Sequence, residues 1–137
     1  MLYFAYGANL NKAGMLRRCP GSKALSKAVL HGYKLVFKGC ADIVPSANDS
    51  VPGALWEITE ACRKSLDRFE GYPSFYIRKQ VSVVRGDTGE TVEAMIYQMT
   101  GRRVLSPPYP SYLFSIITGR RNWSLGVKDL MGTRCAG

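Results

Sequence analysis

Two strand candidates, Tyr76 to Arg85 and Val92 to Met99, are joined by little more than Gly86-Asp87-Thr88-Gly89. This arrangement limits the fold more than any other feature. So short a Gly-Asp connection between two strands returns the chain antiparallel beside itself. A lone hairpin is marginal in water and needs further strands or helices to cover it. The rest of the chain supplies them. Leu2-Tyr3-Phe4-Ala5-Tyr6 is a short aromatic strand stopped by Gly7. Ala28-Val29-Leu30 and Tyr33 to Phe37 form a second pair of strand candidates, and Gly53 to Ile58 reads as another. Between them, Asp42 to Gly53 reads as a loop, with two prolines and Asn48-Asp49-Ser50.

Helical signals are fewer. Asn9 or Asn11 can cap a short helix through Met15-Leu16 that ends at Cys19-Pro20-Gly21. Thr59 starts a helix whose apolar positions Cys62, Leu66 and Phe69 recur every three or four residues, ending near Glu70-Gly71 with Pro73 beyond. Tyr112 to Ile117 suits a strand by propensity, but Gly119-Arg120-Arg121 reads as a helix end and favours helix. A short helix is expected around Leu125–Leu130. Five or six strands with few, non-alternating helices give an α+β domain, 1–137, built on a mostly antiparallel sheet that can close on itself.

Composition removes several functions. Nineteen Lys and Arg against ten Asp and Glu give a net charge of +9, concentrated at the two ends. Residues 1–41 hold seven bases and no acid, whereas 42–101 hold nine acids and six bases. A single histidine, His31, rules out a zinc site of several histidines. The four cysteines, Cys19, Cys40, Cys62 and Cys135, form no CxxC pair and read as buried free thiols of a reducing compartment. No metal-ligand, Walker or dinucleotide motif is present, so nothing in these patterns calls for a metal. The start does not resemble a signal peptide, and the uncharged stretch Val104 to Gly119 is too short to span a bilayer. A soluble cytoplasmic domain with no membrane partner is expected.

Three places could hold chemistry. Tyr6-Gly7-Ala8-Asn9-Leu10 lies between a strand and a helix, where a glycine turn and a helix N-terminus aim backbone N–H groups at an anion. A plain strand–turn–helix connection is the competing reading. Glu70 ends an amphipathic helix, where the macrodipole disfavours a carboxylate. Flanked by Phe69, Tyr72 and Phe75, it could lie in an apolar pocket that raises its pKa and suits it to acid–base work. A solvated terminal glutamate is the bland alternative. Asp67, one turn back, is better placed to pair with Arg63 or Lys64 on the solvent face. Ser106-Pro107-Pro108-Tyr109-Pro110-Ser111-Tyr112 is a proline-fixed loop whose two tyrosines could close over a small ligand. The pairs Arg17-Arg18, Arg102-Arg103 and Arg120-Arg121 could meet phosphates, but no nucleic-acid-binding signature accompanies them.

Taken together, Tyr3 to Leu10, Gly53 to Ile58, Leu66 to Pro73 and the Pro-Tyr loop resemble the γ-glutamylcyclotransferase superfamily in order and spacing. The resemblance implies a small mixed or antiparallel β-barrel flanked by helices, with a cavity at one end. It implies a cofactor-independent reaction on a small γ-glutamyl substrate. The free α-amine attacks its own γ-carbonyl, giving 5-oxoproline and a released amine or amino acid. By the same resemblance Glu70 would be the general acid/base. The backbone N–H groups of Gly7, Ala8, Asn9 and Leu10, after Tyr6, would hold the substrate α-carboxylate, and Tyr112 and Tyr109 would line the pocket. Ala8 stands where the main branch has Ser, a difference of roughly 0.5–1.5 kcal/mol if that hydroxyl met substrate. The first turn resembles enzymes of γ-glutamyl amino acids, whereas Leu66 to Glu70 with Pro73 and Tyr76 is similar to the branch acting on γ-glutamylamines. A catalytically silent binding module of the same fold, using its basic surface for nucleic acid or an acidic partner, is the alternative.

Overall fold

In the computed structural model, which describes residues 1–137, the two strand candidates form the expected hairpin. Strands β4 (Tyr76–Arg85) and β5 (Thr91–Met99) pair antiparallel from Tyr76↔Met99 to Val84↔Thr91. The two middle strand candidates are one continuous strand, β2 (Lys23–Lys38), with a shift in register between His31 and Tyr33. Gly32 there takes a left-handed φ of 83°, which glycine adopts without steric cost.

The expected loop at Asp42 to Gly53 is instead part of β3 (Cys40–Glu57), which pairs with β2 from Lys23↔Glu57 to Lys38↔Cys40. Pro45 and Pro52 sit opposite Tyr33 and Val29, and no strand other than β2 pairs with this part of β3. A proline on such an open edge sacrifices no ladder bond, so the turn-like composition is compatible with strand. The loop signal survives only as an excursion at 46–49, where the register jumps from Ser50 to Pro45.

The sheet closes through β1 (Leu2–Ala5). It pairs antiparallel with β3 from Leu2↔Glu57 to Ala5↔Ala54, and parallel with β5 at Tyr3↔Met95. The order β1-β3-β2-β4-β5 is a closed five-stranded mixed barrel. Inside and under the helices lie Phe4, Leu30, Ile43, Leu55, Trp56, Leu66, Ile96 and Ile116, all fully buried. Burying a side chain of this size stabilises the fold by about 1.5–3 kcal/mol.

Four helices flank the barrel. A 3-10 turn at Ala8–Leu10 leads into α1 (Lys12–Arg18), capped by Asn11, whose side chain accepts the Gly14 N–H at 3.0 Å. Helix α2 (Glu60–Glu70) starts at Thr59, whose hydroxyl accepts the Cys62 N–H, and stops at Gly71 in the left-handed conformation. Helix α3 (Pro110–Asn122) ends one residue past Gly119-Arg120-Arg121, which lie in its last turn as expected. Gly119 also gives close packing: a Cβ on it would lie 2.6 Å from the Asn11 nitrogen. Arg120 turns inward, fully buried, and bonds Asp129 at 2.9 Å. Helix α4 is a single turn, Lys128–Met131, shorter and later than the expected Leu125–Leu130.

Candidate active site

Helix α2 aims its last residue at the 3-10 turn. Cys62 and Leu66 bury one face of α2 against the barrel, which leaves Glu70 at the barrel end facing Asn9. The Asn9 side-chain amide donates to Glu70 Oε1 at 3.3 Å and to the Tyr3 hydroxyl at 2.9 Å. Arg18 fixes which way this amide points. Its Nε, which can only donate, meets Asn9 Oδ1 at 2.8 Å, so the NH2 group must face Glu70.

Around this contact lies a cavity of about 120 Å³. A single water needs only about 10–15 Å³, so the space fits a small molecule. Its wall includes Tyr6, Gly7, Ala8 and Asn9 from the turn, Glu70 from α2, Tyr76 from β4 and Tyr112 from α3. These seven sequence-predicted positions are brought together. Two others are not. Tyr109 is 70% exposed ahead of α3 and does not line the cavity. Leu10 is fully buried outside the wall, and its N–H is already bonded to the Gly7 carbonyl at 3.0 Å. The first N–H groups of a helical turn have no acceptor within it, so Gly7, Ala8 and Asn9 are the donors placed for an anion. A Cβ on Gly7 would lie 3.2 Å from the Ala41 Cβ and 3.5 Å from the Tyr112 oxygen.

The turn is held from behind. Trp56 Nε1 donates to the Asn9 carbonyl at 3.1 Å and Trp123 Nε1 to the Leu10 carbonyl at 2.9 Å, and the two indoles meet edge to face. These bonds fix the backbone before any ligand arrives, which reduces the ordering cost of binding.

Withdrawal from water pushes the Glu70 carboxyl up to about 7, against the opposing charge of Arg18. It is therefore divided between its two protonation states near neutral pH. The phenols remain protonated, since burial raises the pKa of Tyr3, Tyr6, Tyr76 and Tyr112. Tyr6 and Tyr76 spend their protons on the Tyr97 and Ala41 carbonyls, at 2.5 and 2.6 Å. Tyr112 accepts the Ala41 N–H at 2.9 Å and Tyr3 accepts from Asn9, so each keeps its own proton to give.

Several lining residues escaped sequence reasoning. Tyr3, Cys40, Ala41 and Tyr97 all face the cavity. Ala41 acts through its main chain alone, gripping Tyr76 with its carbonyl and Tyr112 with its N–H, and a backbone role leaves no mark on side-chain type. Tyr72, expected beside Glu70, is instead exposed under Arg78, 4.3 Å from its ring centroid. Asp67 does pair with Arg63, at 3.1 Å, but it also accepts the Tyr97 hydroxyl at 2.6 Å and is half-buried rather than on the solvent face. The cysteines divide: Cys19 and Cys62 are buried, while Cys40 and Cys135 are partly exposed. No helix is long and apolar enough to cross a membrane.

Comparison with known proteins gives this geometry its context. The sequence signature described as "Gamma-glutamyl cyclotransferase, AIG2-like" matches residues 3–114. The chain is 33% identical over 140 residues to a Bos taurus protein named gamma-glutamylcyclotransferase, covering 93% of this chain and 73% of that one. The Homo sapiens protein of the same name is 32% identical, with the same coverage. A solved structure titled gamma-glutamyl cyclotransferase superposes with a TM-score of 0.91 at 28% identity, over 99% of this chain and 89% of that one. A barrel of this topology, a turn and a carboxylate facing across one cavity, and a family signature spanning both lead to one conclusion: the chain belongs to the γ-glutamyl cyclotransferase, AIG2-like family.

Proposed function

We propose that the protein is a γ-glutamyl cyclotransferase, converting a small γ-glutamyl amide into 5-oxoproline and a free amine or amino acid, with Glu70 as general acid and base. The observation that carries this reading is the position of Glu70. A carboxyl held near pKa 7 faces the Gly7–Asn9 donors across a cavity of substrate size.

The turn N–H groups of Gly7, Ala8 and Asn9 hold the substrate α-carboxylate, and this sets the adjacent α-ammonium toward Glu70. As carboxylate, Glu70 takes one proton from the ammonium. The freed amine attacks the γ-carbonyl and closes a five-membered ring. Holding one conformer for this intramolecular step supplies much of the rate enhancement. Charge builds on the former carbonyl oxygen, and the Tyr112 hydroxyl, together with the turn N–H groups, donates to it. Collapse of the tetrahedral species breaks the bond to the leaving nitrogen. Glu70 gives its proton to the leaving nitrogen, then takes the second proton that the ring nitrogen carries after the attack and passes it to the departing amine, which leaves as an ammonium while the carboxylate is regenerated. No cofactor enters the scheme. Ala8 supports it through its backbone N–H, which Ser and Ala share.

The test is a panel of γ-glutamyl amino acids, glutathione and γ-glutamyl-ε-lysine, with 5-oxoproline as the readout. Formation of 5-oxoproline from at least one member is expected. No product from any of them would sink the proposal.

A further inference from the structure

Five residues, Gly101 to Leu105, leave β5 as an exposed strap. Both ends of the strap are fixed beside cavity-lining residues. At one end the Thr100 N–H donates to the Phe75 carbonyl at 3.0 Å. At the other, the Ser106 N–H donates to the Phe37 carbonyl at 3.0 Å and the Ser106 carbonyl accepts the Gly39 N–H at 2.9 Å, one residue before Cys40. Phe75 and Cys40 both line the cavity, so the strap passes its mouth.

The strap carries Arg102 and Arg103. Arg103 lays its guanidinium over the Phe75 ring, 4.3 Å from the centroid. Stacking holds a guanidinium by its face and leaves its in-plane N–H fork open for a carboxylate. No partner within the chain takes that fork: the arginine–carboxylate pairs are made by Arg63, Arg78, Arg85 and Arg120. Arg18, the other arginine stacked on a lining ring, is spent on Asn9 and Ala8. The cavity wall itself holds one carboxylate, Glu70, and no cation.

The leaving nitrogen must lie against Glu70 to receive its proton. From there the way to solvent passes Phe69 and Phe75, which are both partly exposed. In a γ-glutamyl amino acid the second carboxylate sits two bonds beyond the leaving nitrogen, so a leaving group directed past Phe75 would carry it to the strap.

We propose that Arg103, stacked on Phe75 at the cavity mouth, forms a second carboxylate subsite, so that the site takes γ-glutamyl amino acids in preference to γ-glutamylamines. This rests on the cyclotransferase reading and selects between the two substrate classes that reading leaves open.

The test uses γ-glutamyl-L-alanine and γ-glutamyl-ethylamine, which differ only by the leaving-group carboxylate. Their kcat/KM values are compared in the wild type, and their dissociation constants are measured by calorimetry in Glu70→Gln. A preference for the alanine substrate of up to roughly 5-fold is expected at low salt, the upper end for an exposed charge pair. It should shrink at about 0.5 M salt, where such pairs are screened. Arg103→Gln should bring the ratio close to one, and Arg103→Lys should retain part of it. An equal ratio in the wild type, or an unchanged preference in Arg103→Gln, overturns the subsite. Turnover of both substrates without discrimination leaves the reaction standing and removes the subsite. Arg103-dependent binding without turnover keeps the subsite and removes the reaction. Neither binding nor turnover removes both.

Discussion

Glu70 ends a helix where the macrodipole disfavours negative charge, and its surroundings also withdraw it from water. Arg18 opposes both effects without touching Glu70. It works through its charge and through the Asn9 amide that it orients. Removing that cation leaves burial unopposed. Arg18→Met should therefore raise the Glu70 pKa above about 7 and move the acid limb of kcat/KM to higher pH, by up to about one unit. Arg18→Lys, which keeps the charge but not the Nε donor, should recover part of the shift. A pH–rate series across the three proteins checks this, and an acid limb that stays fixed would remove Arg18 from the account. At the same scale, the sequence made Glu70 and the turn legible because both lie in linked motifs. Arg18 was visible only as half of a basic pair, since its task depends on a side chain nine residues away.

Among the elements, α3 does more than cover the barrel. Gly119 lets it approach the turn so closely that an added Cβ would meet the Leu10 Cβ at 2.7 Å. Asn122 accepts the Lys12 N–H at 3.0 Å, and Trp123 closes the same contact. Gly119→Ala should push the turn out of place, lowering stability by about 1–3 kcal/mol. It should also raise KM more than it lowers kcat, because the displaced N–H groups are the ones proposed to hold the substrate carboxylate. Chemical denaturation and steady-state kinetics check the two parts separately. The elements themselves differed in how well the sequence announced them. The β4–β5 hairpin was plain from two strand candidates joined by the short Gly86 to Gly89 connection, and α2 from its cap, stripe and Gly71 stop. The first half of β3 was not, because Pro45, Pro52 and Asn48 to Ser50 carry turn chemistry that an open edge tolerates. Gly119-Arg120-Arg121 marked the end of α3 to within one residue, but composition alone did not show that Gly119 is also there for close packing.

For the whole molecule, closure rests on a single parallel pair, Tyr3↔Met95, between residues far apart in sequence. Local patterning contains no sign of such a contact, so the sequence suggested a closed sheet but not which strands would meet. Closure also places Glu70 where its charge costs stability. Its folded pKa of about 7 lies above the ordinary 4.5, so the folded state binds the extra proton. Wild-type stability from this group is therefore greatest below about 4.5 and declines as pH rises toward about 7. Glu70→Gln lacks that decline. It should be more stable than the wild type at about pH 8, by roughly 3 kcal/mol, with the difference shrinking near pH 5. Thermal unfolding at the two pH values checks this, and a wild type that is the more stable at pH 8 would contradict it. The net charge of +9, the loudest feature of the composition, is partly spent inside the fold: Arg18 orients Asn9 and Arg120 holds Asp129.

The central claim is that Glu70 moves both protons of the ring closure. It is tested most directly by kcat/KM against pH for the wild type and Glu70→Gln on a γ-glutamyl substrate the protein accepts. The wild type should lose activity as pH falls through about 7, as the carboxylate that accepts the first proton is titrated. Glu70→Gln should fall by roughly 100- to 10,000-fold and lose that acid limb. A Glu70→Gln protein that turns over at the wild-type rate with the same profile would contradict the account.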